Sequence, residues 1–198
     1  ESGHRVRYEP AITLHHTPRS SVRAAIRQRI GYGESAAQLA RRHPGALAPA
    51  RMSAWSLAVV ALLLLRRPTL ALALAGATSV ALMRKLQGVP AVESLRVATL
   101  GHLGAGLQLA RAARRVWWPL LALAVCVRRA RPLVVAALVA PTLADAARRR
   151  SVAELVLAPG AVVDDLAYGI GVWRGVLRER CLDPLVPTIS GWPQRGDG

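Results

Sequence analysis

The sequence predicts a mainly α protein in which a short β-hairpin comes first and membrane-associated helical hairpins follow. Three observations support this prediction. Hydrophobic residues make up 53% of the 198-residue chain, yet Phe is absent and the apolar content is mostly Ala, Leu and Val. Apolar runs fill most of the chain after residue 51. Arginines border those runs, as is typical of helix ends that reach lipid headgroups.

The first element is a strand pair that ends in two histidines. Residues 5–16 alternate between polar and apolar side chains, with Pro10 interrupting the alternation, which predicts strand, turn and strand. His15 and His16 then lie at a strand end, where neutral imidazole can bind a divalent metal. A histidine pair is also a common structural or surface feature, so the residues alone leave both interpretations open.

A helix is predicted next, with Ser20 or Ser21 as its N-cap and apolar side chains at helical spacing along one face. The glycines at 31 and 33 predict a break, and a second short helix is expected over 35–42. We expect these two helices to be followed by a linker that is rich in Pro and Ala and ends before residue 51.

The other face of this first helix carries Arg27, Gln28 and Arg29. Guanidinium groups suit a diphosphate, because they neutralise the charge that develops on a departing phosphate oxygen. A helix lying on anionic lipid headgroups would be equally well served by arginines. The spacing does not decide between these two roles.

Two helical hairpins are predicted between residues 51 and 150, each with an apolar arm, an Arg-Pro turn and a second apolar arm. At ~1.5 Å of rise per residue, an arm of about fifteen residues covers roughly 22 Å of a ~30 Å hydrocarbon core. The arms therefore span with help from snorkelling arginines, or lie re-entrant or in the interface. A soluble Ala/Leu bundle is the alternative, but the uncharged stretch 57–65 favours lipid. The arms are 52–65, 69–83, 116–127 and 133–147, with a weaker run at 97–110.

The remainder is predicted as an amphipathic helical segment over 151–185 and a disordered tail over 186–198. The acidic pair at 164–165 predicts a helix N-terminus capped by acids, with a metal site as the less favoured alternative. Gly171 and Gly175 have the spacing that permits close contact between helices.

Several function classes are disfavoured by composition. The net charge of +16 is almost wholly arginine, with Lys85 the only lysine, and these arginines border apolar runs. That distribution is unlike a phosphate-tracking face, so we expect no nucleic-acid partner. The two cysteines, Cys126 and Cys181, lack metal-ligand spacing. No phosphate-binding loop, dinucleotide fingerprint or nucleophile elbow occurs in the sequence.

The first fifty residues resemble part of a known protein family. The stretch 6–10 (VRYEP), followed by His16 and by an Arg- and Gln-rich helix, resembles the end of the catalytic domain of family 2 glycosyltransferases. The longer string HHTPRSSVRAAIRQRIGYGESAAQLARRHPG is similar to the members of that family that act in mycofactocin biosynthesis. It implies that residues 1–50 are the C-terminal end of a GT-A-like domain and that 51–150 are transmembrane or membrane-associated hairpins.

The resemblance implies an inverting hexosyltransferase that moves glucose from UDP-glucose to a mycofactocin precursor on the cytoplasmic side of the cell membrane. His16, with His15 as the fallback, would help to hold the Mg or Mn ion bound to the nucleotide diphosphate. Arg27, Gln28 and Arg29 would line the donor diphosphate, although their spacing departs from the family's Gln-x-x-Arg-Trp motif and the Trp is absent.

The family's acidic metal-binding motif and its general base do not occur in these 198 residues. We therefore expect a C-terminal fragment that is inactive alone, because inverting transfer needs a carboxylate to deprotonate the acceptor hydroxyl. The other hypothesis is a small, non-enzymatic polytopic membrane protein whose Arg-rich flanks hold anionic lipid.

Overall fold

A computed structural model describes residues 21–191. The predicted β-hairpin at 5–16 lies outside the described residues. Within 21–191 the chain is mainly helical, as predicted. Two 3-10 turns, Arg128–Ala130 and Asp183–Leu185, lie between longer elements. The helices and strands in chain order are α1 Val22–Arg42, β1 Arg51–Ser53, α2 Ala54–Leu64, α3 Pro68–Lys85, α4 Ala91–Arg115, α5 Trp118–Val125, α6 Arg131–Arg149, α7 Ala153–Val156, α8 Ala158–Glu179 and β2 Thr188–Ser190.

Helix α1 is continuous, so the predicted break at its glycines is wrong. It begins after Ser21, whose side chain accepts a hydrogen bond from the amide nitrogen of Ala24 at 3.2 Å, as an N-cap does. Gly31 and Gly33 lie inside the helix. Their low helix propensity, about 1 kcal/mol each, is outweighed at Gly33 by packing against α8.

Helices α1 and α8 cross backbone against backbone. A side chain at Gly33 would overlap the carbonyl oxygen of Tyr168, and one at Gly171 would overlap the carbonyl oxygen of Ile30. Gly175 is in the same situation against α1. The close helix contact predicted from the glycine spacing is thus confirmed. Small apolar residues fill the rest of this core: Ala36, Ala37, Val116, Val172 and Val176.

The longest described helix, α4, occupies the run that the sequence predicts as the weaker one. It packs against α2, α3, α6 and α8. The buried face of α4 carries small residues at helical spacing, among them Ala98, Ala105 and Ala112. Because small side chains let neighbouring helices approach closely, a run of low hydrophobicity here forms the centre of the bundle.

Helices α2 and α3 form the first predicted hairpin, and they pack against each other. Arg66 adopts a left-handed backbone conformation with φ of 57° and Pro68 is the first residue of α3, so the Arg-Arg-Pro sequence makes the turn. The first arm of the second hairpin is helical only over α5, whereas the second arm forms α6 with Pro141 inside it.

The last described residues close the fold. Strand β2 pairs in parallel with β1, with Met52 opposite Ile189. The amide nitrogen of Thr188 also donates to the carbonyl oxygen of Ala50 at 2.9 Å. The predicted disordered tail begins at residue 186, yet its described part contains this strand, because β1 supplies hydrogen-bond partners that a sequence window does not reveal.

Among residues 21–191, one stretch is long and apolar enough to cross a membrane by length and composition, Arg128–Arg149. Helix α2 is apolar but shorter.

Candidate functional site

The predicted metal ligands His15 and His16 lie outside the described residues, so that assignment stays a prediction. Within 21–191 no cluster of three or more His, Cys, Asp or Glu side chains could hold a metal ion. The alternative of a metal at the 164–165 acidic pair therefore finds no further donors in the described part of the chain.

The predicted substrate-binding residues lie on α1 and point in different directions, because consecutive positions on a helix do not share a face. Arg29 pairs with Asp164 on α8, with NH2 2.8 Å from Oδ2. Gln28 donates from Nε2 to the hydroxyl of Tyr32 at 2.6 Å. Arg27 is exposed. The structure thus does not gather the three side chains at one point.

A buried ion pair joins α4 to α8. The Nε of Arg114 lies 2.7 Å from Oδ2 of Asp165, and NH2 of Arg114 contacts the same oxygen. NH1 of Arg114 reaches the carbonyl oxygen of Leu138 and the hydroxyl of Thr142 on α6, both at 3.2 Å. One guanidinium group therefore ties three helices together.

These contacts correct the interpretation of the acidic pair. Helix α8 begins at Ala158, so Asp164 and Asp165 lie beyond its first turn and do not cap its N-terminus. The two carboxylates instead accept from Arg29 and Arg114 on two different helices. The roles of the two carboxylates therefore depend on ion pairs between helices, which no local sequence pattern predicts.

A second arginine of α4 stacks on an aromatic ring. The guanidinium carbon of Arg115 lies 3.8 Å from the ring centroid of Tyr168, well within cation–π range. Arg29 also lies over this ring, at 5.2 Å. The Nε of Arg115 is buried and has no hydrogen-bond acceptor among the described residues.

A cavity of about 300 Å³ opens beside this stack. Helix α4 lines it with Gln108, Arg111 and Arg115, which share a face at spacings of three and four. Loop residues 46–49, all apolar, line it from another side. The arrangement combines fixed positive charge with an apolar wall.

A smaller cavity, about 250 Å³, lies along the α1–α8 crossing near Glu179. Gln38 Nε2 donates to this carboxylate at 3.2 Å, and Arg41 NH1 donates to it at 3.1 Å. The hydrogen bond from Gln38 and then the bond and charge of Arg41 lower the pKa of Glu179, against an opposing effect of desolvation. This carboxylate thus serves to hold α1 to α8.

A set of hydrogen-bonded polar side chains lies between α2, α3 and α4. Thr78 Oγ1 is 2.9 Å from the carbonyl oxygen of Leu74, to which it donates. It can then accept from Nε2 of His102 at 3.1 Å. In the tautomer protonated at Nε2, Nδ1 of His102 accepts from the Ser56 hydroxyl, also at 3.1 Å.

Sequence reasoning missed the arginine–carboxylate and arginine–aromatic contacts. The available signal was the helical spacing of Gln108, Arg111 and Arg115, three polar side chains on one face of an otherwise apolar run. Asp165, the partner of Arg114, and Tyr168, the partner of Arg115, lie far along the chain. No local sequence pattern therefore predicts these contacts.

The chain is 39% identical, over 96% of its own length, to a protein found in two strains of Mycobacterium tuberculosis. That protein is the pre-mycofactocin glycosyltransferase. The chain spans 43% of the length of these relatives. No family model matches the chain, and no solved structure matches it.

This similarity confirms the resemblance predicted from the first fifty residues and extends it. Because it covers nearly the whole chain, the apolar helices share the similarity to the pre-mycofactocin glycosyltransferase with the Arg-rich helix before them.

Proposed function

We propose that this chain is the C-terminal part of a membrane-bound glycosyltransferase that transfers a hexose to a mycofactocin precursor. The observation that carries the proposal is the 39% identity over 96% of the chain to the pre-mycofactocin glycosyltransferase. The part of the enzyme that binds the nucleotide lies in the sequence that the relatives have beyond this similarity.

Membrane binding is supported by the surface of the apolar helices. Large apolar side chains of α2, α3, α5 and α6 are exposed, a distribution that in a protein of this kind marks a membrane or protein interface. Arginines border these helices and can anchor them at headgroups. We place the protein in the cell membrane, multi-pass or re-entrant, with its catalytic side cytoplasmic. The exposed side chains include Leu63, Leu64, Leu70, Leu72, Leu120, Leu123, Val135 and Leu143.

The proposed donor is UDP-glucose, and the proposed mechanism is inverting. Such a transfer needs a carboxylate base for the acceptor hydroxyl, and the rest of the enzyme would supply it. The rest of the enzyme would also supply the acidic ligands of the Mg or Mn ion that family 2 enzymes use, and His16 or His15 of this chain would be a further ligand. The described residues offer no donor set for it.

The structure divides the three α1 residues by what they contact. Arg29 is bound to Asp164 and lies over Tyr168, so in the proposal it positions α1. Arg27 is exposed, so it is the residue that would reach the donor diphosphate. Gln28 donates to Tyr32 and would hold that side chain in place.

Transfer of labelled glucose from UDP-glucose to the precursor by the full-length enzyme tests this proposal. We expect His16→Ala to reduce transfer at least about tenfold, as removal of metal-site residues does. Arg27→Ala should raise KM for UDP-glucose about tenfold, since a charge-assisted hydrogen bond contributes about 1.5–3 kcal/mol. Arg23→Ala, which removes an exposed arginine one turn away on α1, serves as the control and should transfer at the wild-type rate.

Unchanged rates in His16→Ala and Arg27→Ala would remove the site assignment while leaving the enzyme class intact. Absence of transfer from every nucleotide sugar by the wild-type enzyme would refute the function itself.

A further inference from the structure

The cavity between α4, α8 and loop 46–49 has walls of two different kinds. Gln108, Arg111 and Arg115 line it from α4. Loop 46–49 and Val172 line it with apolar side chains. Its volume of about 300 Å³ is at the lower end of the range of small-molecule sites.

Positive charge around this cavity exceeds the negative charge that could neutralise it. Arg111 forms an ion pair with Asp145, in which its Nη2 lies 2.6 Å from Oδ1. Asp165 is held by two nitrogens of Arg114. Arg115 reaches the same carboxylate only at 3.9 Å, so its charge is the one without a close counterion among the described residues.

Hydrogen-bond donors at the cavity are also left over. The side chain of Arg115 is 38% exposed, so its guanidinium group can be reached from the cavity, although its Nε is buried. Gln108 uses its Oε1 to accept from the backbone nitrogen of Arg51 at 2.9 Å, which leaves its NH2 group to donate elsewhere. A ligand with several acceptor oxygens would satisfy such groups.

The guanidinium group of Arg115 is held in place before any ligand arrives. It stacks on Tyr168 at 3.8 Å, and Tyr168 also lines the cavity. A planar guanidinium that is already ordered loses little freedom on binding an oxyanion, and it matches the geometry of phosphate. Arg115 is thus a pre-organised donor.

We propose that this cavity binds a phosphate group joined to an apolar or aromatic group. Arg115 and Gln108 bind the phosphate oxygens, Arg111 adds positive charge, and loop 46–49 covers the apolar part. The phosphate belongs either to a soluble phosphate ester or to a lipid headgroup. Binding at this cavity does not depend on the sugar-transfer activity proposed above.

Binding of phenyl phosphate to the full-length protein in neutral detergent, measured by isothermal titration calorimetry, tests the first source. Arg115→Gln should raise the dissociation constant at least about tenfold, as expected for loss of a charge-assisted hydrogen bond. Arg96→Gln is the matched control, because it removes the same charge from an exposed position on the same helix. It should bind like the wild type.

Titration of phosphatidylglycerol in mixed detergent micelles, followed by the same calorimetry, tests the second source. If the phosphate is a lipid headgroup, Arg115→Gln should bind phosphatidylglycerol at least about tenfold more weakly than Arg96→Gln does. If it is a soluble ester, the two variants should bind phosphatidylglycerol alike and differ in phenyl phosphate binding.

Ala48→Phe covers the case in which Arg115→Gln fails to fold. Ala48 lies on the loop that lines the cavity, so a larger side chain there should fill the cavity and weaken binding without altering the helix core. Equal behaviour of wild type, Arg115→Gln, Ala48→Phe and Arg96→Gln in both assays would overturn the proposal.

Discussion

The contrast between Asp164 and Asp165 shows how burial decides the value of an ion pair. Both carboxylates pair with an arginine of another helix. The Arg114–Asp165 pair is nearly buried, with side chains 7% and 16% exposed, whereas those of Arg29 and Asp164 are 30% and 49% exposed. Removing one partner of a buried pair leaves an uncompensated charge, and removing one of an exposed pair does not.

Asp165→Ala should therefore lower the free energy of unfolding by about 3–5 kcal/mol. Asp164→Ala, on the same helix and one residue earlier, should lower it by less than about 1 kcal/mol. Urea denaturation in neutral detergent measures both. Equal losses in the two variants would mean that the pair around Arg114 is not buried as the structure has it.

Glu179 gives the molecule a pH dependence whose direction follows from its contacts. The Gln38 hydrogen bond and then Arg41 lower its pKa below the ordinary value of 4.5. A lowered pKa in the folded state means that the stabilisation is present above pH 4.5 and is lost as pH falls through the folded-state pKa.

Gln38→Ala should thus lower the melting temperature at pH 6 and have progressively less effect as pH falls below 4.5. Thermal unfolding followed by circular dichroism between pH 6 and 3 measures this. In a protein that also carries Glu179→Gln, the Gln38→Ala change should show no such pH dependence. A difference that is constant with pH would contradict the assignment.

At the scale of elements, glycine has two opposite uses within one helix. Gly33 allows α1 to touch α8, whereas within residues 21–191 no atom of another element lies within 4 Å of where a side chain at Gly31 would begin. The sequence shows two glycines flanking Tyr32 and cannot distinguish a packing glycine from one that is merely tolerated. The difference depends on α8, far along the chain, so local propensity predicts a break where tertiary packing keeps a helix.

Alanine at each glycine tests this distinction. Gly33→Ala should lower the free energy of unfolding by about 3 kcal/mol or more, because the methyl group overlaps backbone atoms of α8 that cannot move aside. Gly31→Ala should be neutral or stabilise by about 0.5–1 kcal/mol through helix propensity. Denaturation of the two variants side by side gives the measurement, and a comparable loss in both would refute the crossing.

At the scale of the whole molecule, composition predicted the mainly α architecture and the first fifty residues predicted the resemblance to a glycosyltransferase. The α4 run was underestimated, because its alanines and glycines lower its hydrophobicity while allowing other helices to pack against it. The pairs made by Arg114 and Arg115 were not predictable, since each joins residues from separate elements. His16 lies outside the described residues, so its assignment as a metal ligand stays a prediction.

The exposed apolar surface of α2, α3, α5 and α6 predicts firm membrane binding of the full-length protein. We expect it to stay in the membrane pellet after washing with 1 M salt, which screens charges beyond roughly 3 Å, and to be released by detergent. Immunoblotting of the fractions measures this. Release by salt alone would show that arginines, and not buried apolar side chains, hold the protein to the bilayer.

The contact between α1 and α8 has a practical consequence for anyone who wishes to produce α1 without the helices that follow it. Ala36, Ala37 and Gly33 of α1 are covered by a helix that arrives only after all the apolar hairpins. A protein that ends near residue 50 would leave these α1 residues uncovered, and it should aggregate unless α8 is supplied on a second polypeptide.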